Sequence, residues 1–153
     1  MPQVKNPRKV FQWRIRFVGY PINPFLFQKV QLPEIKIEEV SHGDANRDVK
    51  TAGRISVGSM TGSKLSPTQG SDTWLWDWIN SIQDQLLGGG LTPESYWKTC
   101  LVDELAEDGQ TVLNTHYCEE VWPMKVNGVT LDRLSSDNLI EEIEFSIGIC
   151  VKQ

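Results

Sequence analysis

Little in this sequence announces catalysis or metal binding. Of 153 residues, three are cysteine and two are histidine. Cys100, Cys118 and Cys150 contain no C-x-x-C pair, and His42 and His116 show no H-x-x-x-H spacing. Zinc and a disulfide framework are therefore not expected, and the thiols read as reduced, buried small hydrophobes. There is no Gly-x-Ser-x-Gly elbow. The stretch GSMTGSK at 58–64 misses the phosphate-loop pattern, with glycines one residue too close and Ser63 before the lysine. Carboxylates come as neighbours, as at Glu38-Glu39, Glu119-Glu120 and Glu141-Glu142, and strand neighbours face opposite ways. No run approaches the roughly 20 apolar residues of a membrane helix. The basic first residues lack an apolar stretch, so no secretory signal is expected, and a soluble protein made in a cytosol is. No repeat or internal boundary appears, so 1–153 reads as one domain. No catalytic, cofactor-binding or metal-binding residue is expected.

What is present is strand. An apolar content of 39% with 23% charged residues suits a globular protein. In VFQWRIRFVG, Phe11, Trp13, Ile15 and Phe17 alternate with polar residues, which predicts a half-buried strand. LFQKVQLPEIKIEEV reads as a long strand broken at Pro33, where a bulge or a switch between sheets is expected. Residues 41–53 are polar and longer than a hairpin loop needs, so they read as a projecting arm, and RISVGSM returns as a strand. Further on, Asp108-Gly109 marks a hairpin and WPMKVNGVTLDRLSSDN reads as irregular. LIEEIEFSIGICV closes the chain as one strand, with Ile143, Phe145, Ile147 and Ile149 on one face.

TWLWDW at 73–78 spaces three tryptophans by two, a strand-like pattern. Its flanks decide for a helix over about 72–87. Ser71 or Asp72 serves as N-cap, and Gly88, Gly89 and Gly90 as stop. At 100° per residue, Leu75, Trp78, Ile79, Ile82 and Leu86 form one stripe with Trp74 at its edge. Trp76 falls about 120° away, near Leu87. The expected core anchors are Trp13, Trp78, Ile79, Ile82 and Phe145. The fold class is mainly β: an antiparallel barrel or sandwich of about seven strands carrying one helix. The net charge of −5 divides as +6 over residues 1–64 (11 basic, 5 acidic) and −11 over 65–153 (4 basic, 15 acidic). Such a split suits a nucleic-acid face or a subunit surface that meets its opposite on another copy, or else the two halves interleave in space and the charges mix. Two other readings compete: a sugar-binding β module, given the aromatic content, and a small enzyme using Cys118 with His116.

The order of features resembles one family. A first strand, a bulged second strand, a long arm and a returning strand precede a helix with LWDWI (75–79). A hairpin LVDELAEDGQTV (101–112), EVWPMKVNG (120–128) and a last strand EEIEFSIG (141–148) follow. From about Phe11 to Val151 the chain resembles the tail tube proteins of contractile-tailed bacteriophages, with related tubes in type VI secretion and extracellular injection systems. The resemblance implies a virion structural protein, assembled in the host bacterial cytoplasm. It implies hexameric rings stacked head to tail, with subunit strands joined into one inner barrel that conducts DNA without binding it specifically. The implied partners are other copies of the chain, the tail sheath protein, baseplate tube-initiator and tail terminator proteins, and a tape-measure protein in the lumen. On that reading, candidate lumen-facing residues are Glu34, Lys36, Glu38, Arg54, Ser56, Glu142 and Glu144, four acids against two bases. Candidate subunit or sheath contacts are Trp76, Leu87, His42, Asp44, Arg47, Asp48 and Lys50.

Overall fold

The structure, a computed structural model, describes residues 7–20, 26–66 and 73–153. Apolar alternation places most of them in nine strands. These are β1 (Trp13–Phe17), β2 (Phe27–Gln31), β3 (Ile35–Gly43), β4 (Asp48–Val57), β5 (Met60–Leu65), β6 (Lys98–Leu105), β7 (Val112–Val126), β8 (Ile140–Ser146) and β9 (Ile149–Lys152). Two helices lie between β5 and β6: α1 (Trp74–Ile82) and the single turn α2 (Pro93–Tyr96). The main sheet is antiparallel in the order β1-β6-β7-β8-β5-β2, with β9 beside β7. Its path is open rather than closed into a barrel. It folds into two facing layers, because Phe17 of β1 lies 6.0 Å from Phe27 of β2 and 5.3 Å from Phe145 of β8, ring centre to ring centre.

The long strand β7 belongs to both layers. Its first part pairs with β6 and β9, and its last part with β8. Between them it carries an extra residue, since Lys98 pairs with Val121 but Cys100 with Cys118. Within that bulge Glu120 takes a φ of +57°, a left-handed conformation that non-glycine residues seldom adopt. Gly148, in the link from β8 to β9, lies against the Glu120 side chain, and a Cβ at 148 would come within 2.7 Å of Glu120 Cβ.

Trp78 closes the core. It is fully buried, packs on Phe17, Tyr20, Trp74 and Phe145, and donates its indole N–H to Tyr96 O at 2.7 Å. Burying such a ring contributes on the order of 2–3 kcal/mol. Phe145 is also fully buried, while Trp13, Ile79 and Ile82 pack on the core partly exposed. On the outer side of the β1–β6–β7 layer, Asp103 is buried beneath Arg14 and Arg16. Their guanidinium Nε atoms donate to it at 2.8 and 3.0 Å, and the Thr115 hydroxyl donates at 2.9 Å. Burial pushes the Asp103 carboxyl up, but the hydrogen bonds from Arg14, Thr115 and Arg16 outweigh it and the net shift is down.

Several expectations change. Among the described residues there are nine strands rather than about seven, partly because Gly148 splits the closing segment into β8 and β9, which leaves Ile149 exposed instead of beside buried Ile147. The segment expected to be irregular from Trp122 continues β7 to Val126. A register shift between Pro123 and Lys125 absorbs the proline, which cannot donate to a ladder. The helix is nine residues long, not 72–87. Gln83 turns to an extended conformation, and Asp84 accepts from the Leu86 and Leu87 amides, so the chain leaves the helix before Leu86, which is exposed. Thr73 takes the N-cap place, and Ser71 and Asp72 lie outside the described residues. The projecting arm expected at 41–53 is built as a ribbon: 41–43 belong to β3, 48–53 to β4, and 44–47 form the turn.

Two outcomes follow. Gly148→Ala is expected to lose about 1–2 kcal/mol by overpacking against Glu120, and Glu120→Gly in the same chain to restore most of it, as read by urea unfolding. Asp103 has a depressed folded pKa, so its stabilisation is present above the unfolded carboxylate pKa of about 4 and is lost as pH falls through the folded value. Asp103→Asn should therefore lose about 1–3 kcal/mol at pH 7, with the gap to wild type narrowing below pH 4 in acid-unfolding curves.

Candidate functional site: the assembly surfaces

Cross-strand partners share a face, so the register of β3 and β4 shows what each side of their ribbon carries. Ile35 pairs with Val57 and Ile37 with Ile55, which groups four branched apolar side chains at the root. Ile35, Ile37 and Ile55 are 50%, 59% and 65% exposed. Between Ile37 and Glu39 the register slips by one residue on β4, where Gly53 and Arg54 sit. Beyond the slip the apolar pairs are Val40 with Thr51 and His42 with Val49, on the opposite face. Each side of the ribbon thus presents one apolar patch, at different heights. The turn is held by Asp44 N donating to Arg47 O at 2.9 Å, and a Lys50–Glu39 ion pair at 3.5 Å lies out along the arm. Among the described residues β3 and β4 pair only with each other.

A second surface is the outward face of the layer β2-β5-β8-β7. Met60 and Gly62 face inward with Phe145 and Ile143, so Thr61 and Ser63 face outward with Glu144 and Glu142. Gln31 pairs with Thr61, Lys29 with Ser63, and Lys125 with Glu144, extending that row. Asn127 Nδ2 donates to Glu142 at 3.0 Å, and the Ser59 hydroxyl to Glu144 at 2.8 Å. The face carries two lysines against two glutamates. The seven sequence-predicted lumen residues are therefore not one surface: Glu142 and Glu144 lie here, while Glu34, Lys36, Glu38, Arg54 and Ser56 lie on the ribbon or its approach. Lys29, Gln31, Thr61, Ser63, Lys125 and Asn127 share the face of Glu142 and Glu144 and were not among those candidates. For Lys29 and Gln31 the irregularity between Phe27 and Lys29 is the reason: it sends Phe27 inward and Lys29 outward although simple alternation puts them on one face.

Trp76 points away from the core and is 44% exposed, while Trp78 two residues on is buried. Leu87, beyond the end of α1, is exposed. His42, Asp44, Arg47, Asp48 and Lys50 are all exposed on the outer half of the ribbon.

The residues that suggested catalysis are engaged elsewhere. His116 Nε2 lies 3.1 Å from Glu104. Cys118 Sγ lies 3.3 Å from Cys150 Sγ, and burial first, then the hydrogen bond to Cys150, push its thiol well up. A catalytic nucleophile, which must be a ready thiolate at every turnover, needs the opposite shift. Among the described residues no three His, Cys, Asp or Glu side chains converge on a metal position, and no helix is long and apolar enough to cross a membrane.

Known proteins match this architecture. The family model described as T4-like virus tail tube protein gp19 matches residues 10–148. The tail tube protein gp19 of Enterobacteria phage T4 is 26% identical over 143 residues, which cover 92% of this chain and 86% of that protein. In fold, the chain is similar to a protein in the tube-terminating cap of the anti-feeding prophage (TM-score 0.79, 17% identity, 100% of this chain and 95% of that one). It is likewise similar to a chain in the extended sheath–tube complex of an extracellular contractile injection system, PVC (TM-score 0.77, 20% identity, 98% and 93%). With nearly its whole length matched, this chain belongs to the T4-like tail tube protein family.

Proposed function

We propose that this chain builds the hollow inner tube of a contractile phage tail, as six-membered rings stacked head to tail, and that DNA passes through the tube on ejection. The observation that carries this reading is the ribbon of β3 and β4. A two-stranded ribbon is at best marginally stable in water, and this one leaves its isoleucines uncovered within the subunit. A neighbouring subunit supplies the missing cover at both patches. Because the patches lie on opposite faces and at different heights, one ribbon touches two different neighbours, which suits a heterologous, repeating contact.

The outward face with Lys29, Lys125, Glu142 and Glu144 lines the lumen, and Glu34, Lys36, Glu38, Arg54 and Ser56 continue that lining along the ribbon and its approach, four bases against four acids in all. A surface that binds nucleic acid concentrates lysine and arginine against phosphates. Balanced charge holds no phosphate strongly and lets DNA slide. Exposed Trp76, with Leu87, is the contact for an adjacent subunit or for the sheath. The remaining partners are a baseplate initiator, a terminator and a tape-measure protein occupying the lumen before ejection. The site of action is the virion, after assembly in the bacterial cytoplasm. A second reading is the same tube carrying protein cargo in a type VI secretion or extracellular injection system; fold neighbours from injection particles share the architecture and do not separate the two.

Two variants test the assembly claim. Replacing residues 41–50 by Asn-Gly leaves Val40 and Thr51 flanking a two-residue turn. That variant is expected to stay folded by circular dichroism but to form no rings or tubes in negative-stain micrographs where wild type does. Trp76→Lys should keep wild-type thermal stability within about 0.5 kcal/mol yet assemble or bind sheath at least several-fold more weakly in co-sedimentation. Normal tubes from the trimmed ribbon would overturn the reading.

A further inference from the structure

Three cysteines distant in sequence meet in one row across β6, β7 and β9, where Cys100 pairs with Cys118 and Cys118 with Cys150. The two contacts are not equivalent. Thr115 and Gln153 exchange both backbone hydrogen bonds, at 2.9 and 2.8 Å. Counting along β7 from there, Thr115, Tyr117 and Glu119 turn their backbone groups toward β9, and His116 and Cys118 turn theirs toward β6. Cys118 and Cys150 are therefore a non-hydrogen-bonded pair, the kind with Cα atoms about 4.5 Å apart and side chains closest. Cys100 and Cys118 are the hydrogen-bonded, wider kind, about 5.5 Å apart. The sulfurs agree: Cys118 Sγ donates toward Cys150 Sγ at 3.3 Å. A disulfide accepts Cα separations of about 4.4–6.8 Å and has a bond of about 2 Å, so the sulfurs need to close by little over 1 Å.

We propose that Cys118 and Cys150 are a redox staple: a dithiol under reducing conditions, and an intrachain disulfide joining β9 to β7 when a small-molecule disulfide of the glutathione class is in excess. Cys150 is half-buried, whereas Cys118 and Cys100 are fully buried. Burial also pushes both buried thiols up, so Cys150 makes the first attack. Its thiolate bonds to one sulfur of the small disulfide and breaks that S–S bond. One small thiolate leaves with the electron pair and takes up a proton. Cys118 then gives its proton to solvent and attacks Cys150 Sγ, expelling the second small thiolate. Two protein thiols are oxidised and one small disulfide is reduced to two thiols. The four-residue strand β9, which pairs with β7 alone among the described residues, becomes covalently held, and a loop of 33 residues (118 to 150) is closed. Cys100 stays a thiol.

The test treats purified full-length protein with oxidised glutathione and, in parallel, with dithiothreitol. Intact mass after denaturation, maleimide titration and peptide mapping then read the products. Expected are a 2 Da loss per chain, one titratable thiol in place of three, and a linked pair of peptides containing Cys118 and Cys150. Non-reducing gels should show monomer, and the unfolding midpoint should rise by about 5–15 °C. Cys150→Ser, at a half-buried position, should fold normally, keep both remaining thiols and show no rise. Three thiols after oxidation, a lasting glutathione adduct on Cys150, a link to Cys100, subunit-to-subunit crosslinks, or an equal midpoint rise in Cys150→Ser would each overturn the proposal.

Discussion

A β-ribbon satisfies its backbone only between its two strands and hides side chains only if something lies against it. Here 23 residues, 35 to 57, form such a ribbon, and nothing else in the described chain pairs with it. Its root shows Ile35, Ile37 and Ile55 on one face, and its outer half shows Val40 and Val49 on the other. On β3 the change of side lies in the sequence itself, because Ile37 and Val40 are three residues apart and so point to opposite faces. The extra residue on β4, between Ala52 and Ile55, carries Val49 across to match. With an apolar patch on each side, cover by two different neighbours suits a subunit that polymerises.

The rest of the fold supplies the rigid body from which that ribbon projects. Trp78 and its ring of aromatics lock α1 over the gap between the two layers. The layers hold together because β7 runs through both, and the strand changes layer at the Glu120 bulge where Gly148 leaves room. That geometry also sets the polar face: once Ile143 and Phe145 are buried, Glu142 and Glu144 must face outward, beside Lys29 and Lys125. Core and polar face are two sides of one register.

Much of this was legible in the sequence. Trp78 and Trp76 were separated correctly by helical phase, despite a spacing that imitates a strand. Pro33 was read as a bulge or a change of sheet, and it lies between β2 of the main sheet and β3 of the ribbon. The failures share a cause. Periodicity cannot see an inserted residue, and the irregularity after Phe27, the slip opposite Glu38 and the bulge at Glu120 each reverse inside and outside downstream. That is why Lys29 and Gln31 were missed. The helix end was misplaced for a different reason: Asp84 caps a turn locally, where the glycines only suggested a later stop.

The most direct measurement is a cryo-EM map of the assembled protein at side-chain resolution. The account predicts that Ile35, Ile37 and Ile55 lie against one neighbouring subunit and Val40 and Val49 against another, with Glu142, Glu144, Lys29 and Lys125 facing the lumen. A tube whose ribbons stand free in solvent, or whose lumen is lined by the α1 side instead, would contradict it.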